Sequence, residues 1–474
     1  MPSAISEPVE IDYNEFISPA AKNRVRNPLK TLRPYVSLPG IISFGGGMPH
    51  PSTWPVNAMT VSVPFAGQSV FVPGYNSPTP DSLLPLAPYN PPSKTDPAPN
   101  LVSELQYANM HGAPHLVSWL TEHAKRIHNP PYAGWSVSTT AGNTDGVDAV
   151  IRTVLKAGDN ALVEEFAYPG LLSALHSAGV KATGVPMDGD GVLDSAIDET
   201  LANWNEGTQG PRPKVFILVP TCSNPSGITV PEYRKKDIYA VCRKWNILIV
   251  EDDPYCFLQI RPEGASKPIV PSFLSLDIDG RVIRVDSFSK IVSPGSRLGW
   301  ITGPSQLVQQ IMFMREGSTQ CPSGWSVAAI SAVLRAWGGH EGFEQKYLPH
   351  ISDIYAKRCL LMVSQFEKYL PTSICEWPSG SGGMFLWLRL KIRKHPNYST
   401  KSLEEISDQI FKTLIEEKLI TAQSFFFKAP GKEWSKEEEA ERVFLRLSFS
   451  YPSEEDIEEG VKRLAKGLKK EWGL

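Results

Sequence analysis

The chain has 474 residues, more than one ordinary domain needs and enough to bury a large core. A formal charge of -3 offers no basic field for nucleic acid, and no run approaches the roughly 18 apolar residues that span a membrane. Six scattered cysteines, with no close Cys-x-x-Cys pair and no metal-ligand histidine cluster, predict reduced structural thiols and no metal centre.

Met1 to Glu15 is acidic and polar, unlike a secretory signal or an Arg-rich transit peptide, and the C-terminus is not a peroxisomal tripeptide, so a cytoplasmic location is expected. Beyond the Gly-rich run Phe44-Gly45-Gly46-Gly47-Met48-Pro49, the stretch Pro64 to Pro99 is crowded with proline. That density disfavours helix and interior strand and predicts an extended surface loop or interaction segment. Residues 1–99 are therefore read as an arm and loop, and 100–345 as a large domain of alternating strands and helices. Within it, Val137 to Thr140 passes through Ala141-Gly142-Asn143-Thr144 into a helical apolar pattern from Val147. Such a junction points backbone N–H groups outward at the positive end of a helix, where phosphate binds, and Asn143 and Thr144 would add donors. A plain capped helix would have the same pattern.

Asn160 to Glu164 reads as a strand delivering Tyr168, whose ring could stack on a flat cofactor, although Tyr168-Pro169-Gly170 also makes a serviceable turn. Three apolar runs then end in chemically loaded residues: Val215 to Val219 leads to Asn224, Ile247 to Val250 leads to Asp252 and Tyr255, and Val282 to Val285 leads to Lys290. Ligands of open α/β sheets bind outside the carboxyl ends of the strands, so one site could collect Asn224, Asp252, Tyr255 and Lys290. Past residue 346, a turn at Gly380 to Gly383, a strand Met384 to Leu390, a helical run Ser402 to Lys418 and a last helix near Glu454 to Trp472 predict a smaller α/β domain, 346–474. Phe425-Phe426-Phe427 is expected as a strand packed in that domain. The basic stripe Lys462, Arg463, Lys466, Lys469 and Lys470 is expected as a solvated helix face.

The run Ser287-Phe288-Ser289-Lys290, with Arg297 seven residues on, suits an amine that holds an aldehyde cofactor in Schiff-base linkage beside a phosphate. Ser287, Ser289 and Arg297 would bind phosphate oxygens, and a neighbouring cation lowers the lysine pKa toward the nucleophilic form. The implied cofactor is pyridoxal 5'-phosphate. A carboxylate at Asp252 would keep the ring nitrogen protonated, and Asn224 and Tyr255 would donate to the ring oxygen. Helix capping by Asp252, an ordinary turn at Asn224 and a core aromatic at Tyr255 are the bland alternatives.

Taken with Leu105-Gln106-Tyr107, Gly382-Gly383-Met384-Phe385 and Phe444-Leu445-Arg446-Leu447-Ser448-Phe449, these stretches run in one order from near residue 44 to near residue 449. In that series the chain resembles the fold-type I pyridoxal-phosphate aminotransferases, in the branch of aromatic amino-acid, 2-aminoadipate and kynurenine aminotransferases. The resemblance implies a large, mostly parallel seven-stranded sheet domain flanked by helices plus the smaller C-terminal domain. It makes Lys290 the catalytic lysine, places Asp252 at the ring nitrogen, Asn224 and Tyr255 at the ring oxygen, and Tyr168 on the ring face. Asn143, Thr144, Ser287, Ser289 and Arg297 hold the phosphate. Tyr107 reaches the phosphate of the partner subunit, which implies a homodimer with shared sites. Arg446, with Asn224, grips the substrate carboxylate, and Gly47 lies in a segment covering the substrate. Relatives usually carry Ser-Gln where this chain has Asn143-Thr144; both pairs can donate to phosphate.

The expected reaction moves the amino group of an aromatic amino acid to a 2-oxo acid such as 2-oxoglutarate, in ping-pong order. A 2-aminoadipate or kynurenine aminotransferase, or a lyase or decarboxylase on the same scaffold, fits the same motifs. A transcription regulator on this fold would need a basic helix-turn-helix module in front, and the arm before Phe44 has neither the length nor the charge.

Overall fold

The computed structural model describes residues 7–24, 59–63, 66–67, 83–86, 101–261 and 270–474. Gly47 and the rest of the Phe44 to Pro49 run lie outside the described residues, as does most of the proline-rich stretch. Inside that stretch, Leu83–Leu86 pairs antiparallel with Met59–Ser62, so this part is a strand where the proline content predicted a loop. Pro85 is tolerated because a two-stranded ribbon has an edge on each strand that calls for no N–H donor.

In chain order the elements of the first half are α1 (Pro114–Ile127), β1 (Trp135–Thr140), α2 (Asn143–Val154), β2 (Asn160–Glu164), α3 (Pro169–Ser177), β3 (Lys181–Val185), β4 (Val215–Leu218) and β5 (Leu248–Asp252). They are followed by β6 (Val282–Ser287), β7 (Gly299–Pro304), α4 (Ser305–Glu316), α5 (Leu348–Tyr369), β8 (Cys375–Glu376), β9 (Phe385–Leu390), α6 (Leu403–Glu416), β10 (Ala422–Gln423), β11 (Phe444–Ser448) and α7 (Glu454–Trp472). The chain divides into two compact units, each of two segments: Met1–Ala157 with Leu274–Leu348, and Gly158–Phe273 with Pro349–Leu474.

In the first unit β7 runs antiparallel to both β6 and β1. Val147, Val150, Ile151 and Val154 recur at helical spacing and form the buried face of α2, so the turn that opens this helix is held at the end of β1. In the second unit β5, β4, β2 and β3 are consecutive parallel strands. Val215 to Leu218 and Leu248 to Asp252 are buried at every position, as in strands covered on both faces, and the apolar run of the second gives way to Glu251 and Asp252 at its end.

The second unit also holds an antiparallel sheet in the order β8-β9-β11-β10. Leu386, Leu388, Leu445 and Leu447 face a core shared with Ile410 and Leu414 of α6 and Val461 and Leu464 of α7. By the twofold alternation of strands, Phe385, Trp387 and Arg389 share the other face with Phe444 and Arg446. The helix ends follow from capping. Ser402 and Glu405 form a capping box at α6, and α7 has Ser453 at its N-cap, acids in its first turn and Lys469 and Lys470 in its last. The basic stripe of α7 is a surface face threaded with ion pairs, Lys462 to Glu458 at 3.1 Å, Lys466 to Glu417 at 2.6 Å and Lys470 to Glu416 at 2.8 Å.

Phe425 to Phe427 is not a strand. The ladder of β10 ends at Gln423, because the Ser424 hydroxyl, rather than a backbone carbonyl, accepts from Phe444 N at 3.1 Å and the chain turns into a 3-10 helix over Ser424–Phe426.

Candidate active site

The first unit contributes a cluster of donors. The turn at the end of β1 has Gly142 at φ +96, and a Cβ there would run into the Arg297 guanidinium. Arg297, itself left-handed at φ +46, lies across this turn: Nη2 donates to Ala141 O at 3.1 Å, and Nη1 to Ser289 Oγ and Pro294 O, each at 3.2 Å. Ser287, the last residue of β6, donates from Oγ to Ser289 Oγ at 2.8 Å and accepts from Ser289 N at 3.0 Å. Thr144 is exposed in the first turn of α2, whereas Asn143 gives one N–H to Val285 O at 3.2 Å and so also ties the turn to β6. Lys290 is half-buried, with no hydrogen bond or ion pair among the described residues, and its pKa is lowered by burial and by the Arg297 charge.

Sequence reasoning missed what holds this turn. Asp145 accepts from Ala141 N at 2.9 Å and pairs with the buried Arg315, whose Nη1 donates to Thr139 O. Arg315 lies 170 positions away in α4 and carried no local signal. Missed likewise was the meeting of His123, His340 and Glu344, where the sequence offered no metal-ligand histidine cluster. Both imidazole Nδ1 atoms contact Glu344 Oε1, at 2.8 and 3.1 Å, while Arg126 holds Oε2 at 2.7 Å, so the carboxylate is already engaged by an ion-pair network.

The second unit contributes a carboxylate, a phenol, an amide and a guanidinium. Asp252 is the buried last residue of β5 and does not cap a helix. Asn224 precedes a cis bond to Pro225 in the turn after β4, and its Oδ1 accepts from Arg446 Nη1 at 2.7 Å. Tyr255 is buried edge-on to Phe385 and hydrogen-bonds Asn224; its phenol is pushed up by burial and then by Asp252. The Arg446 guanidinium sits 4.4 Å from the Phe385 ring centre and 4.9 Å from that of Phe427, a cation in contact with two aromatic rings. Tyr168 caps α3 with its ring over Gly170, a place any side chain at 170 would contest.

Glu164, the last residue of β2, was read only as strand. It is fully buried, accepts from Val219 N at 2.9 Å and Ser223 Oγ at 3.4 Å, and so fixes the segment that delivers Asn224. Burial, with a further contribution from Asp252, pushes its pKa up to about 8. The available signal was a carboxylate closing an otherwise apolar strand.

These donor sets fit pyridoxal phosphate. Around Gly142 the hydroxyls, the guanidinium and the start of α2 suit a phosphate. Asp252 suits a protonated ring nitrogen, and Asn224 and Tyr255 suit a ring oxygen. Tyr107 is 62% exposed, with its backbone N–H on Gln106 Oε1 at 3.0 Å.

Residues 101–464 match the family model of aminotransferase class I and II. The chain belongs to that family. This aminotransferase is 34% identical to an aromatic amino acid aminotransferase of Schizosaccharomyces pombe, over 98% of its own length and 97% of the other. It is 30% identical to the mitochondrial kynurenine/alpha-aminoadipate aminotransferase of Bos taurus, over 97% and 99%. The crystal structure of the aminotransferase Aro8 from Candida albicans superposes with a TM-score of 0.88 at 29% identity, covering 99% of this chain and 100% of that one. The aminotransferase accordingly has the fold-type I architecture, a mostly parallel central sheet flanked by helices. It is a pyridoxal-phosphate-dependent transaminase acting on amino acids and 2-oxo acids.

Proposed function

We propose that the aminotransferase transfers the amino group of an aromatic amino acid to 2-oxoglutarate. The observation that carries this reading is the setting of Arg446: a fixed guanidinium for an α-carboxylate, walled by Phe385 and Phe427, on which an aryl side chain can pack. The name of the S. pombe relative supports the same choice of donor.

Pyridoxal phosphate, when bound, draws electrons from the substrate α-carbon through its protonated ring. In this reading the chain holds the phosphate with Asn143, Thr144, Ser287, Ser289, Arg297 and the start of α2, keeps the ring nitrogen protonated with Asp252, and orients the ring with Tyr168, Asn224 and Tyr255. Arg446 and Asn224 set the carboxylate and hence the direction of the Cα–H bond. Lys290 Nζ, its pKa lowered, accepts the Cα proton as general base. Tyr107 serves the phosphate of the partner subunit in a homodimer.

Rates for tyrosine, phenylalanine, tryptophan, kynurenine and 2-aminoadipate, each with 2-oxoglutarate, test the substrate. The three aromatic amino acids are expected to have the highest kcat/KM; a preference for 2-aminoadipate or kynurenine would replace this reading with the one the bovine relative's name supports. Lys290→Ala is expected to abolish turnover with every donor.

A further inference from the structure

The segment that runs from β4 to Asn224 is gripped from both neighbouring strands of the parallel sheet. On one side Glu164, which closes β2, accepts from Val219 N at 2.9 Å and from Ser223 Oγ at 3.4 Å. On the other Asp253, the residue after β5, accepts from Thr221 Oγ1 at 3.1 Å. Both carboxylates are buried, each at 2% exposure. Within the turn, Cys222 N donates to Thr229 Oγ1 at 3.0 Å, Ser223 N to Ile228 O at 2.9 Å and Gly227 N to Ser223 O at 2.7 Å. All of these groups belong to the second unit.

Cys222 explains why so many contacts converge here. It is fully buried and left-handed at φ +45. A residue with a Cβ keeps that conformation only where its surroundings impose it. The two carboxylates hold the residues on either side of it, Thr221 and Ser223. Asn224 comes next, and its side chain links Arg446, at 2.7 Å, to Tyr255. Any slackening of the turn is therefore passed to Asn224 and from there to both of its partners. Neither Glu164 nor Asp253 belongs to the cofactor or substrate set described above.

We propose that Glu164 and Asp253 are positioning residues that clamp this turn, so that Asn224 meets the cofactor ring oxygen and the Arg446 guanidinium at once. The proposal rests on the role given to Asn224 above. Hydrogen bonds to the ring oxygen favour its deprotonated form, so an Asn224 displaced from it raises the spectroscopic pKa of the bound cofactor. The same displacement frees Arg446, so KM for the amino acid and for the 2-oxo acid rises more than kcat falls. A clamp that served stability alone would move neither quantity.

Variants of the holoenzyme, followed by absorbance titration of the bound cofactor and by steady-state kinetics, test the clamp. Glu164→Met keeps the side-chain length and removes both acceptors. Glu164→Gln keeps an oxygen for Val219 N–H, places an amide against the Ser223 hydroxyl and cannot ionise. In Glu164→Met the cofactor pKa is expected to rise by about half a unit and both KM values by about tenfold, with kcat changed less than about threefold. In Glu164→Gln the pKa should stay in place and both KM values within about twofold of the parent. Ser223→Ala and Thr221→Val each delete one contact and should move pKa and KM in the same direction, KM by about threefold; they decide the matter if Glu164→Met does not fold. Equal effects of Met and Gln at 164 would overturn the clamp, because the loss of a titrating group would then suffice. An unmoved pKa and KM in Ser223→Ala would overturn the part given to Glu164, and in Thr221→Val the part given to Asp253. Asn224→Ala is the reference. A cofactor pKa unmoved there would take Asn224 off the ring oxygen, whereas a pKa that moves there and stays fixed in the clamp variants would remove the clamp alone.

Discussion

Arg446 shows how much of a binding residue is built by its neighbours. One N–H is committed to Asn224 and the guanidinium lies against two phenyl rings, which restrains it before any substrate arrives. Lysine could keep the charge but not the fork or the stacking. Arg446→Lys is therefore expected to raise KM for both the amino acid and the 2-oxo acid by about tenfold to a hundredfold, with a smaller fall in kcat, measured by steady-state kinetics with each substrate varied. Lys290, Asp252 and Arg446 could be nominated from the sequence because each belongs to a run whose chemistry is local. Glu164 was not, because its partners at 219 and 223 come from the turn that follows the neighbouring parallel strand. Its carboxyl, pushed from 4.5 to about 8, retains a proton in the folded chain that the unfolded chain has lost between those values. The folded state binds more protons there, so this contribution to stability is complete below about pH 4.5, declines as pH rises, and is lost once pH passes about 8. Thermal unfolding of Glu164→Gln from pH 5 to pH 9 should show a shallower decline than the parent, and parallel curves would contradict the burial of a neutral acid.

Among the elements, the strands that lead to the nominated residues were read to within two residues at each end because largely apolar runs bounded by turns leave little choice. The exceptions have local causes. The aromatic run at 425 to 427 has strand composition, but one serine hydroxyl takes the ladder N–H and ends the pairing, a tertiary event invisible to propensity. The start of α2 was legible as a strand-to-helix turn, yet its rigidity comes from Arg315 and Arg297, which approach from distant elements. Gly142 is the element's weak point, since its φ of +96 and the adjacent guanidinium both exclude a side chain. Gly142→Val should displace Arg297 and raise the dissociation constant for pyridoxal phosphate by about tenfold or more while leaving helix content intact. Cofactor fluorescence titration alongside far-ultraviolet circular dichroism checks both halves of that statement.

At the scale of the whole molecule, composition and charge only excluded classes of protein and the ordered motifs carried the family, but whether a second subunit completes the site is not written in one chain. Tyr107 is a large aromatic left exposed, an unusual place for a residue assigned to a cofactor unless another surface covers it. Mixing two inactive variants decides the matter. In a hybrid dimer of Tyr107→Ala and Lys290→Ala subunits, a Tyr107 that acts across the interface leaves one site with both residues intact and the other with neither. A Tyr107 that acts within its own subunit leaves both sites damaged. Random reassortment of equal amounts makes about half the dimers hybrid, so the first arrangement should restore about a quarter of wild-type activity and the second should restore none. Activity measured after co-refolding, with sedimentation confirming the dimer mass, distinguishes them, and absence of recovery from a verified hybrid would remove Tyr107 from the partner's site.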